Sequence, residues 1–344
     1  MPNYTHCVQR RIGSAGVVLG AFVLLSVSGG THGLAAEGGA QRTLLPVRLA
    51  LQWLPQSQFA GFYMARDRGF YREAGLDVEL IHTGPGPSSL DFLAGDRADF
   101  ATLFLADAIV QAREPVPLAH VAQLLRQSNL VLVAWKDKGI EQPADLHGRR
   151  VSHWPGAFSV AFTAFFRKHD IQPEVLPQHH SVNLFLHHGV DACAAMVYNE
   201  YHRIYQAGID YDRLTVFTMR DYGLGFPEDG LYTTADKAGR HPEVCRSLRQ
   251  ATLDGWDYAR RHPEEAIDAV LRESRLGSVP ANRPHSRWML DHVLASIYPP
   301  DDDGAAGRLD RRTYEHAVKT LTAAGLADDA PAFEQFAPFE REAP

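Results

Sequence analysis

The sequence predicts an α/β protein built from two similar halves. Two observations carry that expectation. Short apolar runs with strand character alternate with helix-like segments from residue 47 onward. The same order of elements then restarts after Leu130-Val131-Leu132-Val133-Ala134. Alternation of strand and helix is the grammar of parallel β-α units.

In chain order, Val47–Leu51 is a first strand, and Phe59, Phe62, Tyr63 and Arg66 recur at helical spacing before the stop at Gly69. Leu76–Leu80 alternates with period two and reads as a second strand. Thr83-Gly84-Pro85-Gly86-Pro87 is a tight loop, after which Ser88 or Ser89 caps a helix to about Ala94. Ala98–Leu103 is a third strand, with a helix through Asp107 and Val110 behind it. Residues 130–134 form a continuous apolar run, the pattern of a strand buried on both faces.

In the second half, Asp145–Val151 is a turn into a strand, Gly156-Ala157-Phe158-Ser159 opens a helix to about Lys168, Asn183–His188 is a helix and Val190–Val197 a strand. Phe92-Leu93-Ala94-Gly95-Asp96-Arg97-Ala98-Asp99 echoes Phe185-Leu186-His187-His188-Gly189-Val190-Asp191, each a helix end, a Gly-containing turn and an Asp entering a strand. Beyond Thr233 the chain turns helical. Val244, Leu248, Ala251, Thr252, Gly255, Trp256 and Ala259 share one face, Pro263 starts the next helix, and Trp288–Ile297 and Tyr314–Leu321 complete the tail.

The chain has 344 residues, 45% hydrophobic and 22% charged, with a net charge of −7. That balance is globular, and it excludes a basic nucleic-acid-binding surface. Residues 1–36 read as a cleavable export signal: Arg10-Arg11, an apolar run from Ala15 to Val27 and a small-residue end at Leu34-Ala35-Ala36. The run falls short of the ~20 residues of a membrane span. The mature protein is therefore expected to be periplasmic, monomeric and not embedded in the membrane. Cys7 falls in the signal, leaving Cys193 and Cys245, expected as buried free thiols rather than a disulfide.

Chemical motifs are sparse. The pairs His179-His180 and His187-His188 are adjacent in sequence, so their side chains diverge, and surface histidines are expected rather than a metal site. No nucleophile elbow, phosphate loop or dinucleotide fingerprint occurs, and no cofactor is expected. The prolines of Gly84-Pro85-Gly86-Pro87 remove amide donors, which suits a rigid turn on a cleft wall better than a phosphate cradle. Gly156 begins either an anion-binding helix start or an ordinary strand–helix turn. Trp53, Phe59, Phe62, Tyr63, Phe104, Trp154, Phe158 and Tyr198 fall near strand ends or helix starts, where open α/β sheets bind ligands.

One stretch has a family likeness. Leu51-Gln52-Trp53-Leu54-Pro55, Phe59–Ala65 and Gly69–Val78 together resemble the periplasmic substrate-binding proteins of ABC importers that are related to thiamine-pyrimidine synthases. Asp145–Val151 and Val190-Asp191-Ala192 resemble that family's second lobe, and the likeness runs from Val47 to Ala269. It implies a bilobal type II periplasmic binding protein fold, with two α/β lobes joined by crossings near Val133–Lys136 and Asp229–Thr233. Residues 42–134 plus 232–338 would form lobe 1 and residues 135–231 lobe 2.

The resemblance also implies a ligand held between the lobes. A thiamine-pyrimidine precursor such as hydroxymethylpyrimidine would stack on Trp53 and hydrogen bond Gln52. Spacing and loop position alone place Phe104, Trp154 and Phe158 to close the sandwich and Asn199, Glu200 and Asp229 as polar anchors, with Gly156 at the helix start beside them. An ABC importer permease would be the partner. Riboflavin and alkanesulfonates or taurine are the alternative ligands, and a sensory module is a further class. In the synthase branch, pyridoxal phosphate is bound by a lysine whose place here is Leu103, and the branch's histidine matches Asp107. Tyr222–Asp229, in the place of its cysteine-rich run, has no Cys. The resemblance thus implies binding without catalysis.

Overall fold

The computed structural model describes residues 43–342 except 114 and 300–303. The expected export signal, residues 1–36, lies outside them.

Ten strands form two five-stranded sheets. The first holds β1 (Leu45–Leu51), β2 (Leu76–His82), β3 (Phe100–Leu103), β4 (Leu118–Gln123) and β10 (Gly230–Thr234), in the order β2-β1-β3-β10-β4. The second holds β5 (Leu130–Trp135), β6 (Arg150–His153), β7 (Glu174–Pro177), β8 (Ala192–Met196) and β9 (Leu214–Thr218), in the order β7-β6-β8-β5-β9. Each sheet is parallel except for one inserted antiparallel strand: β10 between β3 and β4, and β5 between β8 and β9. Both inserted strands adjoin a passage between the sheets. This is the two-lobed α/β architecture of type II periplasmic binding proteins.

The passages lie at residues 124–129 and 219–229. The sequence places the first of them near Val133–Lys136, but β5 already pairs with β8 and β9 from Val131 onward. The apolar run at residues 130–134 is buried on both faces, a pattern that says strand but not which sheet.

The internal echo has a structural counterpart. Helix α1 spans Ala60–Asp67, α2 Phe70–Glu73, α3 Ser89–Ala94, α4 Leu105–Val110, α5 Val160–Lys168 and α6 Asn183–Leu186. The α3–β3 and α6–β8 turns end alike. The Asp99 carboxylate accepts from the Arg48 backbone N–H at 2.8 Å, and Asp191 from that of Arg150 at 3.0 Å. In each case the Asp backbone N–H also donates to the same arginine's carbonyl at 2.8 Å. Asp99 thereby docks β3 onto β1, and Asp191 docks β8 onto β6. Ser88 caps α3 in a reciprocal capping box with Asp91. Helix α5 starts only at Val160, because Gly156, at φ +68°, leads into a 3-10 turn over Gly156–Ser159.

The remaining helices are α7 (Glu200–Gln206), α8 (Ala235–Arg240), α9 (Pro242–Arg261), α10 (Pro263–Leu276), α11 (Arg283–Ile297), α12 (Arg311–Ala323) and α13 (Phe333–Phe336). The expected inner face of α9 is the buried one, from Leu248 to Ala259, with Val244 half-buried. It packs against α1 at very close range. A Cβ on Gly255 would sit 2.2 Å from the Gly61 carbonyl oxygen, and one on Gly61 would meet the Trp256 ring. Only glycine at both positions permits the approach that sets Trp256 edge-on to Phe62 at 6.2 Å. Cys193 in β8 and Cys245 in α9 are buried free thiols. No helix among the described residues is long and apolar enough to cross a membrane.

Gly255→Ala should therefore lower stability by about 1–3 kcal/mol through overpacking, read as a reduced urea midpoint. An unchanged midpoint would contradict the close α1–α9 crossing.

Candidate functional site

The carboxyl ends of four parallel strands meet between the lobes. Gln52 and Trp53 follow β1, Phe104 follows β3, Trp154 follows β6, and Asn199-Glu200 follow β8 at the start of α7. With Phe158 from the 3-10 turn, these side chains line one narrow pocket of about 30 Å³. Gln56, Gln58, Met196 and Tyr198 complete its wall. An adjoining chamber of about 430 Å³ is lined by Gly156, the Gly84-Pro85-Gly86 turn, Leu103 and Asp107.

The aromatic rings touch across the cleft. Trp53 from the first lobe meets Phe158 of the second at 5.5 Å and 87°, and Trp154 at 6.5 Å and 77°. Phe104 meets Phe158 at 5.1 Å and 74°. Edge-to-face contacts of this kind hold aromatic pairs together by about 0.5–1.5 kcal/mol each. The backbone around the rings is pinned. His82 Nδ1 bonds the Trp53 carbonyl at 2.7 Å and its Nε2 the Tyr63 hydroxyl at 2.9 Å, while Trp154 Nε1 donates to the His179 carbonyl. Burial pushes the His82 imidazole down to about 4, so it is neutral at pH 7.

Asp229 does not line the pocket. It is almost fully buried behind the wall, where its carboxylate accepts from Gln52 Nε2 at 2.6 Å and Gln58 Nε2 at 2.7 Å. Its place is that of a positioning group: it turns the amide nitrogen of Gln52 inward. Gln58 Oε1 in turn accepts from Gln56 Nε2 at 2.6 Å, and Gln56 Oε1 meets Asn199 Nδ2 of the other lobe at 3.5 Å. Asn199 Nδ2 also donates to Glu200 Oε1 at 2.7 Å, and Glu200 Oε2 accepts from the Met196 backbone N–H. A polar chain thus runs from Asp229 to Glu200 across the cleft.

Neighbouring Glu228 holds the two passages together. Its carboxylate accepts from the Asn129 backbone N–H at 2.6 Å, Asn129 Nδ2 at 3.0 Å, Ser128 Oγ at 3.0 Å and the Leu130 N–H at 3.1 Å. Further contacts bridge the lobes at α11. His285 Nε2 lies 3.0 Å from Asn199 Oδ1, and its Nδ1 lies 2.8 Å from His202 Nδ1. Trp288 Nε1 donates to the Val197 carbonyl.

Sequence reading missed Gln56 and Gln58, which occupy a 3-10 turn with no periodicity to mark it. Tyr198 was visible as a loop aromatic, but its place on the wall depends on how the lobes meet. Among the described residues, no cluster of three potential metal ligands occurs.

Fold and cleft define a two-lobed solute-binding architecture. The profile of the NMT1/THI5-like family matches residues 56–266, and the chain belongs to that family. It is similar to the formylaminopyrimidine-binding protein of Halalkalibacterium halodurans, at 23% identity over 80% of this chain and 84% of the relative. It is also similar to the riboflavin-binding protein RibY of Chloroflexus aurantiacus, at 22% identity over 72% of this chain and 73% of that one. The crystal structure of the periplasmic aliphatic sulphonate binding protein SsuA from Escherichia coli shares the fold, with a TM-score of 0.63 at 15% identity, covering 85% of this chain and 97% of that one.

The buried acids make stability depend on pH. Burial raises Glu228 to about 7 and Asp229 to about 8, the latter further raised by its charged neighbour. Unfolded carboxyls titrate near ~4, so between pH ~4 and 8 these two groups bind more protons in the folded state, and the stability they contribute falls as pH rises. Above pH 7, where the buried histidines are neutral in both states, unfolding free energy should decline toward pH 9, and less steeply in Asp229→Asn. A flat or rising profile in the wild-type protein would contradict this.

Proposed function

We propose that the protein is an extracytoplasmic solute-binding protein that carries a thiamine-type aminopyrimidine to an ABC importer. The observation that carries this reading is the make-up of the cleft: five aromatic rings with buried carboxylates and amides, and no Lys or Arg among the described residues lining pocket or chamber. A flat, electron-poor ring suits the faces of Trp53, Trp154 and Phe158. With its amide nitrogen engaged by Asp229, Gln52 keeps its carbonyl oxygen for a ligand amino group. Glu200 adds a carboxylate that accepts hydrogen bonds on the opposite lobe.

A sulfonate fits poorly, because nothing lining the cleft neutralises its charge and buried carboxylates would repel it. The adjoining chamber favours a second reading, riboflavin, whose larger ring system could extend from the aromatic pocket into it. The resemblance to the family supports binding over synthesis. Leu103, in the place of the Schiff-base lysine, lines the chamber as a buried hydrocarbon and offers no amine.

Calorimetric titration should show binding of hydroxymethylpyrimidine or its formylamino relative, and none of taurine. Trp53→Ala should weaken that affinity about 10–100-fold, from the ~1–3 kcal/mol typical of ring stacking. Equal affinity in the variant, or binding of riboflavin alone, would refute the pyrimidine assignment.

A further inference from the structure

The chamber beside the aromatic pocket contains a carboxylate that the described protein leaves unsatisfied. Asp107, in the first turn of α4, is 2% exposed and lines the chamber. Its side chain has no hydrogen-bond or ion-pair partner among the described residues, and burial alone pushes its carboxyl well above the usual range. It does not cap α4, since the helix start at Phe104 has no side-chain cap. The other buried acids of the region are all engaged: Glu228 by Ser128 and Asn129, Asp229 by Gln52 and Gln58, Glu200 by Met196 and Asn199.

The surroundings supply no cation. Among the described lining residues Leu103 and Phe158 are apolar, Gln52 and Gln111 are neutral, and His179 is the one histidine. On the inner side, Tyr232 feels the Asp107 charge but keeps a buried hydroxyl with no partner. A buried carboxylate without partners is costly to charge, so the free group holds its proton. A ligand that brings a cationic N–H donor removes that cost, and charge-assisted bonds to carboxylate are among the strongest available. The adjacent aromatic faces favour the same charge.

We propose that Asp107 is the anchor for a positively charged amine on the ligand, so that the preferred substrate class is an aminopyrimidine with an aminoalkyl arm. The ring occupies the aromatic pocket and the ammonium enters the chamber. This rests on the pyrimidine reading above and adds to it a specificity group on the first lobe.

The test is calorimetric titration at pH 7 with two probes that share a ring, a 5-aminomethyl-4-aminopyrimidine and its 5-hydroxymethyl counterpart. The wild-type protein should bind the amine at least about tenfold more tightly, and Asp107→Asn should bring the ratio near one. Equal affinities in the wild type, or an unchanged ratio in the variant, would overturn the anchor while leaving the pyrimidine reading in place. Binding of neither probe would overturn both. The wild-type comparison needs no variant, so it decides the matter even where Asp107→Asn does not fold.

Discussion

Two adjacent buried carboxylates at the end of the second passage, Glu228 and Asp229, hold the rest of the structure in place. Glu228 gathers four donors from residues 128–130, so the two passages between lobes are tied at one point. Asp229 gathers the amides of Gln52 and Gln58, so the ligand-facing wall of the first lobe is set from behind. Neither acid meets solvent or a Lys or Arg side chain in these contacts. Each is stabilised by neutral donors alone, which is why burial dominates both titrations. Hinge and binding wall are therefore built from consecutive residues, and a change in lobe angle acts directly on the orientation of Gln52.

The cleft between the lobes is closed on itself. Trp53 and Phe104 of one lobe interlock with Phe158 of the other, and His285, Gln56 and Trp288 reach Asn199 and Val197 across the gap. On the proposed reading, a ring would enter between Trp53 and Phe158 only when the lobes part. Opening breaks modest contacts, each about a kcal/mol, and a stacked ligand can replace them. The proposed selectivity rests on what surrounds the cleft: carbonyl and carboxylate acceptors without a Lys or Arg among the described lining residues, a setting that suits amino groups better than anions.

Much of this was legible in the sequence. The inner face of α9 follows from its 3.6-residue spacing, and the paired Asp99 and Asp191 turns follow from a short internal echo. Trp53 stands out because a strand ends there and Pro55 follows, and Gln52 through the family likeness alone. Other features depend on tertiary placement. The run at 130–134 reads the same in either sheet, so the first passage was set several residues too late. Asp229 reads as a cleft residue because it ends a loop, yet its side chain turns inward toward two glutamines that no periodicity marks. Asp107 reads as an ordinary helix-start acid, and only the absence of a partner within a buried wall distinguishes it.

The central claim, that this cleft selects an amino-bearing pyrimidine, is tested most directly by identifying what the protein carries when purified from its source cells. Denaturation followed by mass spectrometry of the released small molecules should yield a stoichiometric aminopyrimidine. Stoichiometric release of a flavin or an alkanesulfonate instead would contradict the account.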